Sequence, residues 1–342
     1  MGTRPQISPL EAAVIGVGAM GCNHARVYNE MPDVELAAVA DLDLALAKEA
    51  ARLYGARAYT DYRAMLEETQ PAVVSVAVPT QAHCQVTLNA LKAGCHVLVE
   101  KPIAATLEGG RRMIERATEL SRVLAVEHIE RYNPAVIELK QRLDDGELGR
   151  VFQIHARRLG PFPARVRDVG VVVDLPTHDL DIMRCLTGKE VRRLYAETEQ
   201  EIHTAHADLF SGLVRFEDGV VGVLNINWLT PTKIREITVT GQRGMFLANL
   251  LTQDLYFYEN EEAGGLDWNH LSLLRGVGEG QMVRLRLHRR EPLRAELEAF
   301  VAVARGDEAA IVRGEDSLAV VELARALVRS GREGRVIERF EN

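Results

Sequence analysis

A short apolar run, Ala12–Gly16, enters Gly16-Val17-Gly18-Ala19-Met20-Gly21, and a helical pattern, Met20–Met31, leaves it. This succession of strand, glycine loop and helix constrains the fold more than any other feature of the chain. The G-x-G-x-x-G spacing has a mechanical reading. The first glycine permits a tight turn, the second lets the main chain approach a pyrophosphate, and the third allows the helix to pack close to the strand. The helix N-terminus at Ala19 and Met20 then offers free N–H groups and a positive dipole end to phosphate oxygens. The plain alternative is a glycine-rich turn without a ligand. Asp41 argues against it. It ends the next apolar run, Val34–Asp41, 20 residues beyond Gly21, where a carboxylate can accept hydrogen bonds from an adenosine ribose. That carboxylate repels a 2′-phosphate, and no arginine follows it directly in Asp41-Leu42-Asp43-Leu44, so NAD is expected over NADP. Asp41 also suits the N-cap of a helix from Leu44, and both roles can hold together.

The strand–helix alternation continues. Ala72–Val78, His96–Glu100 and Val123–His128 read as strands, and their nearly continuous apolar character fits a sheet covered on both faces. Helical patterns lie between them at Leu44–Tyr54, Tyr62–Glu68, Gln81–Ala93 and Leu107–Ser121. Repeated β-α-β units predict a doubly wound parallel sheet. Beyond the helical pattern Pro134–Asp145 the character changes. Strand candidates follow one another at Arg150–Leu159, Val191–Glu199, His206–Phe216, Val220–Leu229, Lys233–Thr240, Met245–Leu250 and Asp254–Tyr258, with Glu217-Asp218-Gly219 as a hairpin turn. Glu259–Gly280 reads as a loop, and Leu293–Arg305 and Asp316–Ser330 as closing helices. A chain of 342 residues is too long for one ordinary core. Two domains are expected: a nucleotide-binding α/β domain at residues 8–130, and residues 131–342, with a large open, mainly antiparallel sheet for substrate binding and oligomerisation. The terminal helices are expected to pack back on the first domain.

Net charge and cysteine usage narrow the function. The chain carries a formal charge of −8, so it lacks the global positive field that non-specific nucleic-acid binding uses. No apolar run reaches the ~18 residues of a membrane span, and the start has no signal-like core. Cys22, Cys84, Cys95 and Cys185 are scattered, which fits a reduced cytoplasm. The histidines show no metal-ligand spacing, and no metal is expected.

Two further clusters carry candidate chemistry. Glu100-Lys101-Pro102 ends a strand, and ligands of open α/β sheets bind at the carboxyl ends of strands. There Lys101 could stabilise an oxygen that becomes negative during hydride transfer; the alternative is an ordinary surface lysine. In Asp174-Leu175-Pro176-Thr177-His178-Asp179-Leu180-Asp181, Asp174 and His178 are four apart and share one side of a helix turn, a spacing at which a carboxylate can orient an imidazole. The alternative is a helix-capping Asp174 beside an exposed histidine. Asp179 and Asp181 are expected on the solvated side or as caps.

The ordered set Gly16–Gly21, Asp41, Val78-Pro79-Thr80-Gln81-Ala82-His83, Glu100-Lys101-Pro102 and Asp174–His178 resembles the glucose–fructose oxidoreductase, inositol dehydrogenase and MocA (Gfo/Idh/MocA) family along essentially the whole chain. The resemblance implies a Rossmann domain followed by an open-sheet domain; an exposed large sheet favours a homodimer or homotetramer, since uncovered apolar sheet faces are costly. It implies that Lys101, Asp174 and His178 form the catalytic set. It also implies cofactor contacts from Gly16, Gly18, Ala19, Met20, Gly21, Asp41, Val78, Pro79, Thr80, His83, Glu100 and Lys101. Thr80 departs from the asparagine of many members, and Pro176 is unusual inside the helix. His128–Pro134 and Arg157–Pro163 further resemble the UDP-N-acetylglucosamine 3-dehydrogenase-like branch. Arg157, Arg158, Arg165 and Arg167 crowd into eleven residues there, and arginine's fork matches phosphate oxygens. Arg165 and Arg167 are therefore candidates to hold a nucleotide-sugar diphosphate, against a reading as solvated charges paired with nearby acids such as Asp168. A cyclitol or free-sugar dehydrogenase and a non-catalytic dinucleotide-sensing regulator are the competing functions.

Overall fold

The computed structural model describes residues 9–162, 176–200, 207–260 and 279–338. The chain divides into two units. The first holds Met1–Ile129 and Glu291–Val321, and the second holds Glu130–Arg290 and Glu322–Asn342.

The first unit is built on a six-stranded parallel sheet of β1 (Leu10–Ile15), β2 (Val34–Ala40), β3 (Arg57–Tyr59), β4 (Val73–Val76), β5 (His96–Val99) and β6 (Leu124–Val126). Its order is β3-β2-β1-β4-β5-β6. The helices α1 (Ala19–Glu30), α2 (Leu44–Tyr54), α3 (Tyr62–Thr69), α4 (Thr80–Lys92) and α5 (Leu107–Glu119) cover it. Side chains alternate between the two faces of a strand. Ala13, Ile15, Val74, Val76, Val97 and Val99 accordingly pack with Met65, Leu91 and Met113 on one face. Ala12, Val14, Val73 and Leu98 pack with Ala25, Val27 and Tyr28 on the other. Two later helices complete these layers. From α8 (Pro292–Ala304), Leu293, Leu297, Phe300 and Val301 join the second layer, and from α9 (Gly314–Glu333), Leu318 and Val321 join the first. Burying each such side chain fully is worth about 1.5–3 kcal/mol. The three-residue β3 was not anticipated, since its run is too short to show a period.

The second unit contains α6 (Pro134–Asp144), α7 (Pro176–Thr187) and a nine-stranded sheet. The strands are β7 (Val151–Pro161), β8 (Val191–Glu199), β9 (Leu209–Phe216), β10 (Val221–Asn227), β11 (Leu229–Gly241), β12 (Gly244–Asn249), β13 (Asp254–Asn260), β14 (Glu279–Leu285) and β15 (Ile337–Glu338). Their order is β14-β13-β12-β11-β7-β10-β9-β8-β15, antiparallel apart from the β7–β10 pair. The hairpin at Glu217–Gly219 joins β9 to β10, with Gly219 at φ 90°. A Cβ on Gly222 would lie 2.9 Å from Met183 Sδ, so this glycine lets α7 settle close on β10. Strands β14 and β15 were not anticipated. The first begins in the stretch read as a loop, and the second is a two-residue edge.

Candidate active site

The glycine loop has the build that a dinucleotide needs. Gly16 has φ +88°, and a Cβ there would lie 2.4 Å from Ala77 O. A Cβ on Gly21 would lie 1.8 Å from Gly16 O. A Cβ on Gly18 would meet nothing within 4 Å, so the loop is open to an approaching phosphate at that residue. Gly18 caps α1 without a side chain, and no acid stands in the first turn. The main-chain N–H groups of Ala19 and Met20 therefore begin the helix without competition, a donor set that fits a pyrophosphate. Asp41 Oδ2 accepts from Val17 N–H at 2.8 Å and Oδ1 from Asp43 N–H at 2.9 Å. The N-cap of α2 is Asp43, which accepts from Ala45 N–H at 2.8 Å. Asp41 is thus fastened to the glycine loop instead, and its remaining lone pairs suit ribose hydroxyls.

Two turns meet at the carboxyl ends of β4 and β5. Val78 and Pro79 lead into α4, whose first residue is Thr80. His83 is buried, with Nε2 2.8 Å from Val78 O and Nδ1 2.9 Å from Pro102 O. Its ring ties the Val78–Thr80 turn to the Lys101–Pro102 turn. Lys101 is half-buried directly after β5, and its main-chain N–H donates to Glu100 Oε2 at 3.2 Å.

Beneath these turns lies a polar cluster that the sequence reading missed. His24, Glu100 and Glu127 bring one nitrogen or oxygen each within 4.8 Å of one another. His24 Nε2 is 3.2 Å from Glu127 Oε2, and Nδ1 is 3.0 Å from Ser75 Oγ. Tyr28 OH is 2.9 Å from the same Ser75 Oγ. Burial pushes His24 down to about 4, against the pull of Glu100's charge. Burial, then the charge of Glu127, pushes Glu100 well above the ordinary carboxyl range, and burial raises Glu127 as well. Three converging donors also suit a small cation, but His24 spends both nitrogens on protein partners. The only local signal was Glu127-His128, a polar pair ending an apolar strand.

In the second unit, α7 carries His178, which is half-buried. Pro176 is the first residue of the described helix. Asp174, Arg165 and Arg167 lie outside the described residues. Asp179 and Asp181 are not on a solvated side, because each is clamped by an arginine from a distant segment. Arg158 holds Asp179 through Nε at 2.8 Å and Nη2 at 2.9 Å, with Glu130 at 3.3 Å. Arg131 holds Asp181 at 2.7 and 2.6 Å. Burial alone would lower Arg158, but Asp179 and then Glu130 outweigh it and raise its affinity for the proton. Arg157, on the opposite face of β7, pairs with Glu236 at 3.0 Å. Two of the four clustered arginines thus already have protein partners.

The comparisons agree with this build. Residues 10–128 match the GFO/IDH/MocA oxidoreductase family with its NAD-binding Rossmann fold, and residues 136–247 match that family's C-terminal domain. The UDP-N-acetylglucosamine 3-dehydrogenase of Acidithiobacillus ferrooxidans is 31% identical over 292 residues, 85% of this chain and 88% of that protein. Its solved structure, GnnA, superposes with a TM-score of 0.82 over 94% of this chain and 97% of its own. The D-glucoside 3-dehydrogenase of Escherichia coli is 30% identical over 97% of this chain and 98% of its own. GenD2 from gentamicin A biosynthesis, solved in complex with NAD, is 26% identical, with a TM-score of 0.81 over 99% of this chain and 100% of that chain. Among the described residues, no helix is long and apolar enough to cross a membrane. With the glycine loop, Asp41 and Lys101 standing where they do, the chain belongs to the GFO/IDH/MocA family of oxidoreductases and binds NAD through its first unit.

Proposed function

We propose that the protein is an NAD-dependent dehydrogenase that oxidises a secondary alcohol of a sugar, specifically a UDP-N-acetylhexosamine at C3. One observation carries the reaction class: Lys101 follows the carboxyl end of β5, on the side of the parallel sheet where ligands bind. Bound NAD would supply the hydride acceptor. Lys101 then holds the substrate oxygen and stabilises its negative charge, while His178, oriented by Asp174, takes the hydroxyl proton. A dinucleotide-sensing regulator would need none of these three groups.

The substrate class is supported by the likeness to the UDP-N-acetylglucosamine 3-dehydrogenase and by Arg165 and Arg167, which the ion pairs of Arg157 and Arg158 leave as the clamp candidates. A diphosphate clamp positions the sugar by holding a remote part of the substrate. At saturating NAD, UDP-N-acetylglucosamine or its uronic acid is expected to give a higher kcat/KM than free N-acetylglucosamine, glucose or myo-inositol. Arg165→Ala or Arg167→Ala should raise KM for the UDP-sugar with little change in NAD affinity. A free sugar or cyclitol turned over more efficiently than every UDP-sugar tested would overturn the assignment. The D-glucoside relative makes a free glucoside the second reading, and the same panel decides between them.

Cofactor preference is tested separately. Asp41, held on the glycine loop by Val17 N–H, meets a 2′-phosphate with a fixed negative charge. NAD should bind more tightly than NADP in direct titration, and Asp41→Ala should narrow the difference. Equal affinities in the unaltered protein would remove Asp41 from that role.

A further inference from the structure

The polar cluster under Lys101 has a proton count that closes in one way. Glu100 Oε2 accepts from Lys101 N–H, but Glu100 Oε1 is buried and meets no hydrogen-bond partner among the described residues. The Glu127 carboxyl is gathered with the Glu100 carboxyl and His24 within 4.8 Å. Two carboxylates facing each other can only repel, and a buried oxygen without a donor is costly. One proton between them removes both penalties.

We propose that Glu100 and Glu127 share a single proton, with Glu100 as the neutral acid and Glu127 as the carboxylate, and that this pair positions Lys101. In this arrangement Glu100 Oε1–H donates to Glu127. His24, neutral, donates Nε2–H to Glu127 Oε2 and accepts at Nδ1 from the Ser75 hydroxyl, which accepts in turn from Tyr28 O–H. Every oxygen and nitrogen of the chain from Tyr28 to Lys101 N–H then has a partner of the right kind. The remaining charged or titratable groups around the cluster are the Lys101 ammonium, which follows β5, His128, which follows β6, and Glu296 of α8, which accepts from His128 N–H at 2.8 Å. Lys101 opposes the pair's single negative charge, and burial keeps the one proton on Glu100.

The positioning half of this inference rests on the reading of Lys101 as the group that holds the substrate oxygen. The proton count does not. Infrared difference spectra of the cofactor-free protein should show the carbonyl stretch of a protonated carboxylic acid at about pH 7.5, well above the ordinary glutamate range. The band should shift in deuterated water and vanish in E100Q, whose amide copies the acid's donor and acceptor. The folded chain keeps a proton that the unfolded chain releases above that ordinary range, so stability falls as pH rises through the window. E100Q should flatten this slope. In turnover, E100Q should retain more kcat than E100A and lose the alkaline decline, whereas E100A should lose about tenfold or more in kcat. No acid band at neutral pH, or E100Q falling to the level of E100A, would overturn the shared proton. A band accompanied by an E100A variant with unchanged kcat and pH profile would overturn the positioning role alone. Unchanged turnover in Lys101→Ala would instead remove the reading of Lys101 and leave the spectroscopic result standing.

Discussion

Lys101→Ala should lower kcat by about 10²- to 10⁴-fold while NAD still binds, and His178→Ala should do the same. The two losses have different causes. In the proposed reaction, Lys101 supplies positive charge for the oxygen that becomes negative. In the same proposal, His178 takes the hydroxyl proton. Neither side chain is part of the glycine loop or of the Asp41 contact, and fluorescence titration should show that both variants still bind NAD. Near-wild-type turnover in either variant would remove that residue from the mechanism.

The second large effect concerns stability. Arg157 and Arg158 are neighbours on β7, yet Arg158→Ala should cost about 3–5 kcal/mol and Arg157→Ala no more than about 1 kcal/mol. Arg158 and Asp179 have side chains 5% and 2% exposed, so removing one partner strands a buried charge. Arg157 is 40% exposed beside Glu236, and water screens that pair. Replacing both members of the buried pair with apolar residues of similar size should recover much of the loss. Thermal unfolding of the four proteins measures all of this, and equal shifts for Arg157→Ala and Arg158→Ala would refute it.

What the sequence made legible follows the range of the interactions involved. The glycine loop and Asp41 are read locally, because each glycine's task is set by neighbours within a few residues or by the next strand. The first-unit strands were visible because both faces are buried, which makes their runs continuously apolar. Short edges such as β3 and β15 carry no period to detect. Asp179 and Asp181 were misjudged from helix position alone, since their partners Arg158 and Arg131 lie 21 and 50 residues away. The His24–Glu127 contact spans 103 residues, and no local pattern announces it.

The route of the chain through its two units has a consequence for how the gene can be divided. Phe300 and Leu297 fill the layer over α1, and Leu318 sits so close to Gly110 that a Cβ there would lie 2.8 Å from it. Both faces of the six-stranded sheet are therefore finished by residues translated after strands β7 to β14 of the second unit. A fragment ending near Ile129 would encode every strand of that sheet and leave each face partly bare. During synthesis, the nucleotide-binding half must wait for Leu293 to Val321, beyond β14, before its own interior is complete.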